Sequence, residues 1–150
     1  MPKPITVERE VGAPPQRIFD LLADPRRHGE IDGSGTLREV KVEAPARLSE
    51  GAEFGMAMKQ FGMSYKVVNT VTEFEEARRI AWKHKGNVVW RYELEPATGG
   101  TLVRETWDPT PANAVAGAFF SMLRFPQRSR AAMTATLDRL AQVVEGPPPA

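Results

Sequence analysis

Apolar and polar residues alternate at the start of the chain. Ile5, Val7 and Val11 fall on one side, Thr6, Glu8 and Glu10 on the other, and Arg9 intrudes on the apolar side. Period two predicts a half-buried strand over 4–11. The period then changes. Ala13-Pro14-Pro15 opens a short helix, because proline is tolerated in a first turn, and Ile18, Leu21 and Leu22 follow at i, i+3, i+4. Asp24-Pro25 ends that helix and starts a second short one through His28. Asp32-Gly33-Ser34-Gly35 is a turn cluster.

Strand-like text with regular turn signals runs from residue 36 to 108. It predicts strands over 36–44, 52–60, 63–74, 79–85, 88–95 and 101–108, joined by short connections that imply an antiparallel meander. The helical period returns at the end. Met133, Leu137, Leu140 and Val144 form one apolar stripe on a helix over about 127–145, stopped by Gly146-Pro147. Residues 112–124 predict a preceding apolar helix, which Pro126 separates from the long one or kinks. A sheet of six or seven strands cannot bury its inner face alone, and the long stripe is its natural cover. The expected class is therefore α+β: a curved antiparallel sheet wrapped on a long C-terminal helix, with two short helices after strand 1. A space between curved sheet and straight helix is the expected site.

The length of 150 residues fits a single domain over 1–146, with Gly146-Pro147-Pro148-Pro149-Ala150 ending in a disordered tail over 147–150. Twenty Lys+Arg against 19 Asp+Glu leave a net charge of +1, too little cationic surplus for a dedicated nucleic-acid binder. No apolar run approaches the roughly 20 residues of an integral membrane segment. The absence of cysteine excludes a disulfide scaffold, a thiolate metal site and a cysteine nucleophile. The first ten residues carry charges and no apolar signal core, so a cytoplasmic location is expected.

Several strings add a resemblance: Ala13-Pro14-Pro15 leading to Arg17-Ile18-Phe19-Asp20-Leu21-Leu22-Ala23-Asp24-Pro25, the turn from Glu73 to Trp82, Gly99-Gly100-Thr101, and Leu137-Asp138-Arg139-Leu140-Ala141. In this order they resemble the START-like helix-grip superfamily (SRPBCC), and within it the polyketide cyclase/dehydrase-like proteins. The resemblance covers nearly the whole chain. It implies the helix-grip fold and a cavity for a small hydrophobic ligand. It carries no shared catalytic motif and implies no cofactor.

The last three strands can be phased. Ile80, Trp82 and His84 share a face; Val88, Trp90, Tyr92 and Leu94 share one; so do Val103, Glu105 and Trp107. Short loops then oppose Trp82 to Trp90, Ile80 to Tyr92, Trp90 to Trp107 and Tyr92 to Glu105. The three tryptophans form one row, and Tyr92 and Glu105 a polar pair in the next. These residues, with Phe119 and Met133, are the candidate ligand contacts; an aromatic core without a ligand is the competing reading. An inward Glu105 must be paired, protonated or solvated, and its pKa depends on whether burial or the Tyr92 hydrogen bond dominates.

His84, Glu105 and Tyr92 are the candidate proton carriers, with His84 near the mouth of the pocket. His28, in Arg26-Arg27-His28-Gly29-Glu30, is expected at the surface. His28, Glu30 and Asp32 have poor spacing for a metal, and no metal site is expected. Ser34 lacks the strand-turn-helix context of a nucleophile elbow. Arg124, Arg128 and Arg130 form a small basic cluster, read as a solvated face. Met56, Met58 and Met63 add adaptable apolar filling.

Three functions fit these residues. One is a binder of a hydrophobic or aromatic molecule. The second is a cyclase/dehydratase-type enzyme, whose cavity orients a polyketide-like chain while few residues move protons. The third is an interaction module using the apolar tip at Phe119, Phe120, Leu123 and Phe125. Segment 112–125 is expected to act as a gate; Phe119, Phe120 and Phe125 could instead form a homodimer surface.

Overall fold

The computed structural model describes residues 3–32, 44–60, 62–84, 87–111, 115 and 125–146, with the backbone alone at 56–60, 63–67, 125 and 126. Strand β1 spans Ile5–Val11. Helix α1 spans Pro15–Leu22, with a proline at its first position and Ile18, Phe19, Leu21 and Leu22 buried. A 3-10 turn at Pro25–Arg27 follows, capped by the Asp24 side chain, which accepts from the Arg26 backbone N–H at 3.1 Å. It leads into α2, His28–Ile31.

Five strands follow: β2 at Glu53–Gln60, β3 at Met63–Glu75, β4 at Arg79–His84, β5 at Val89–Ala97 and β6 at Gly100–Asp108. They form a curved, antiparallel sheet in the order β1-β6-β5-β4-β3-β2. The meander is as expected from the short turns, and β1 returns to pair with the last strand. Of the expected strand 36–44 only residue 44 is described, and of the segment 112–124 only residue 115; the rest of both, with Phe119 and Phe120, and the tail 147–150 lie outside the described residues.

Gly100 is required where β1 and β6 close. A Cβ there would sit 2.0 Å from the Val11 carbonyl oxygen, so no other residue fits without moving backbone. On the outer face the alternate residues are charged and pair across strands: Arg91 with Glu73, and Arg104 with Glu8 and Glu95. Such exposed pairs add little stability each, but they fix which face is wet.

The long helix α3 spans Phe125–Glu145. Pro126 therefore lies in the first turn of the described helix, where a missing N–H costs nothing; its expected role as a break after a helix over 112–124 falls outside the described residues. Met133, Leu137, Leu140 and Val144 are all buried, so the stripe faces inward as expected. Arg9, the residue that broke the alternation of β1, points to α3 and bonds Asp138 there. No described helix is long and apolar enough to cross a membrane.

Candidate functional site

The inner face of the sheet is organised in rows. One runs Ile5, Trp107, Trp90, Trp82, Val71 across β1, β6, β5, β4 and β3. The next runs Val7, Glu105, Tyr92, Ile80, Phe74. The structure thus places all three tryptophans in one line and Tyr92 directly opposite Glu105. Alternation and loop length sufficed, because no bulge interrupts β4, β5 or β6; the register shift lies on β3, between Val71 and Glu73.

Two apolar clusters sit above this face. One gathers α1, Ile80, Trp82, Tyr92, Leu94 and Val103 under Leu137, Leu140 and Val144. The other gathers Ile5, Val88, Trp107 and Met133. Trp90 and Val7 touch both clusters, and both remain only partly buried. Glu105 lies on β6 between Val103 of the first cluster and Trp107 of the second, at the seam.

Glu105 is 2% exposed. The Tyr92 hydroxyl donates to its Oε1 at 2.7 Å, while its Oε2 is buried with no hydrogen-bond partner. Burial pushes the Glu105 carboxyl up to about 8; the Tyr92 hydrogen bond opposes this, and the charge of nearby Asp32 adds to it. Burial therefore wins over the hydrogen bond. Tyr92 is pushed well above its ordinary value, first by burial and then by the Glu105 charge and hydrogen bond. Below about pH 8 the carboxyl carries a proton, leaving Oε2 able to donate.

His28 is a correction. It is buried, not at the surface, with Nε2 2.8 Å from the Leu22 carbonyl oxygen. Its ring stacks on Trp82 with centroids 5.0 Å apart and meets the edge of Phe54 at 5.5 Å. Trp82 in turn leans on Tyr92 at 5.7 Å. Burial lowers the His28 pKa, which favours the neutral ring. The arginines and glutamate around it disguised it. The usable signal was spacing: Leu21, Leu22, Pro25, His28 and Ile31 recur every three or four residues through the proline, and all are buried.

His84 stands apart from the pair. It opposes Asn69 at the end of β4, four residues and about 13 Å along the strand from Ile80 of the Glu105 row. Its pKa is lowered by burial. Met133 joins Trp107. Among the described residues no group of three metal-ligating side chains occurs. Asp32, which sequence reasoning took only as part of a turn and a weak metal set, is the second carboxylate whose charge reaches Glu105 and Tyr92.

The profile of the family described as "Polyketide cyclase / dehydrase and lipid transport" matches residues 4–145. An uncharacterized protein of Mycobacterium tuberculosis, Rv0088, is 38% identical over 135 residues, covering 88% of this chain and 60% of the relative. The chain thus spans about three fifths of that longer relative. Among solved structures, KanY aligns with a TM-score of 0.76 at 20% identity, over 97% of this chain and 100% of its own. Protein NE0264 of Nitrosomonas europaea aligns with a TM-score of 0.73 at 16% identity, over 95% and 94%. At these identities the structures speak to the fold alone.

Proposed function

The chain belongs to the polyketide cyclase / dehydrase and lipid transport family, and on that premise we propose that it binds a small hydrophobic or aromatic molecule, polyketide- or lipid-like, between the sheet and α3. One observation carries this reading: Glu105 Oε2 is buried without a partner beside Trp90, which faces inward yet is not fully buried. A protein interior normally closes around its aromatics and satisfies its polar atoms. A carboxyl oxygen with spare bonding capacity next to an accessible indole is what a ligand would complete. Trp82, Trp90 and Trp107 supply a flat wall, Tyr92 and Glu105 the polar anchor, and Met133 a deformable patch. Phe119 and the gate over 112–125 belong to the same proposal, as does a cytoplasmic setting, in keeping with a chain that has no cysteine.

The enzymatic reading has a specific support. A carboxyl titrating near 8 and bonded to a phenol can exchange protons at working pH, as a cyclase or dehydratase requires. His84 is too far along β4 to relay to that pair directly, so its role would be separate and nearer the mouth.

Titration with a panel of flat aromatic and long-chain molecules, followed through tryptophan emission, tests the binding reading. A saturable response that is lost in Trp90→Ala supports it. No response to any member contradicts it.

A further inference from the structure

We propose that His28 is a positioning residue for Glu105: through Trp82 it holds the Tyr92 ring in place, and so fixes the carboxyl that anchors the ligand. What concerns the ligand rests on the binding reading; what concerns Tyr92 and Glu105 stands on ring geometry alone. The His28 hydrogen bond goes to Leu22 and not to the pair, so its influence passes from ring to ring.

The contacts are continuous. His28 of α2 stacks on Trp82 of β4 with centroids 5.0 Å apart and planes within 22°. Phe54 of β2 meets His28 at 5.5 Å and Trp82 at 5.4 Å, edge to face in both cases. The three rings thus close a triangle from three elements, all within the range of favourable aromatic pairs. Trp82 then leans on Tyr92 at 5.7 Å, as its diagonal neighbour across β4 and β5. The Tyr92 hydroxyl completes the path to Glu105 Oε1 at 2.7 Å.

A purely apolar ring could fill the same space, but it could not be pinned. The Leu22 carbonyl ends α1, where the last turn leaves carbonyls without helical donors. That oxygen can only accept, so His28 Nε2 carries the proton and donates at 2.8 Å. The bond ties the ring to a helix whose Ile18, Phe19, Leu21 and Leu22 are fully buried. Trp82 is therefore held from one side by a ring that cannot turn. Trp90, directly opposite Trp82, stays only partly buried and is the tryptophan open to a ligand.

The test is a double-mutant cycle read on the Glu105 carboxyl by carbon-13 NMR, its signal assigned by loss in Glu105→Gln. The Tyr92 bond opposes the upward push on Glu105, so loosening it raises the midpoint. His28→Ala should move that midpoint up by at least about 0.5 of a pH unit in the wild-type background. In the Tyr92→Phe background, which has no bond to lose, it should move nothing, because every other charge around Glu105 is common to both. His28→Phe, which keeps a flat ring on Trp82, should restore the wild-type midpoint. His28→Leu, bulky without a flat ring, serves in place of alanine if that variant does not fold. Ligand probes are 2-acetylnaphthalene and naphthalene, which differ by one carbonyl group. In His28→Ala the ketone should bind at least about threefold more weakly while naphthalene holds or gains. No shift, equal shifts in both backgrounds, or equal losses for both probes would overturn the positioning role. Binding of neither probe to the wild type would remove the ligand reading, and the NMR cycle would still decide what His28 does to Glu105.

Discussion

The Tyr92 phenol and the Glu105 carboxyl face each other across β5 and β6, joined by a 2.7 Å hydrogen bond inside the apolar seam. The bond stabilises the ionised carboxylate, yet burial outweighs it and keeps the acid neutral at pH 7. Tyr92→Phe removes the donor and leaves Oε1 buried without a partner. The variant should lose about 1–3 kcal/mol of stability, and its Glu105 should titrate above the wild-type value of about 8. Denaturant unfolding and carboxyl NMR titration check the two effects.

Glu105 also makes stability depend on pH. Its folded pKa of about 8 lies above the ordinary value of 4.5, so between those values the native state holds a proton that the unfolded chain has released. Its contribution is fully present below about 4.5 and is lost as pH rises through about 8. Glu105→Gln should flatten that decline and be more stable than wild type at pH 8 to 9. Urea midpoints measured across pH decide it; parallel curves for the two proteins would mean Glu105 is ionised in the fold.

His28 has the opposite sign. Its folded pKa is lowered from 6.5 by burial, so its stabilisation is full above about 6.5 and falls as pH drops below that value. In the Glu105→Gln background, where the carboxyl slope is gone, stability should therefore fall on acidification through this window. His28→Ala, which deletes the stack on Trp82 and the bond to Leu22, should cost about 2–3 kcal/mol and reduce that fall, leaving the part that His84, also lowered by burial, contributes.

Two glycines separate backbone necessity from tolerance. Gly100→Ala forces a methyl onto the Val11 carbonyl at 2.0 Å, so the β1–β6 junction must shift and the protein should fold poorly or melt much lower. Gly29→Ala meets nothing within 4 Å, and the melting temperature should hold or rise, since alanine favours helix. Thermal melts of the two variants, side by side, provide the comparison.

Much of this arrangement was legible from alternation. Tyr92 and Glu105 could be paired in advance because β5 and β6 alternate cleanly and a short turn at Gly99 leaves little freedom of register. The stripe on α3 was legible because one face of a helix against one sheet admits a single period. His28 was not, since a polar ring amid Arg26, Arg27 and Glu30 reads as surface until Trp82 and Phe54 arrive from distant strands. Asp32 escaped for a related reason: its charge acts on Glu105 through space, across more than seventy residues of chain, and no local pattern encodes that. Arg9 looked like a flaw in β1 because its partner Asp138 belongs to the last helix.

The most direct measurement follows the Glu105 side-chain carboxyl by carbon-13 NMR, with pH and with added 2-acetylnaphthalene. A carboxyl that is neutral at pH 7, titrates near 8 and shifts on saturation with the ketone is expected, because the same buried acid holds its proton and meets the ligand. A carboxyl that titrates near 4.5 and is unmoved by bound ketone would contradict both the protonation state and the place assigned to the ligand.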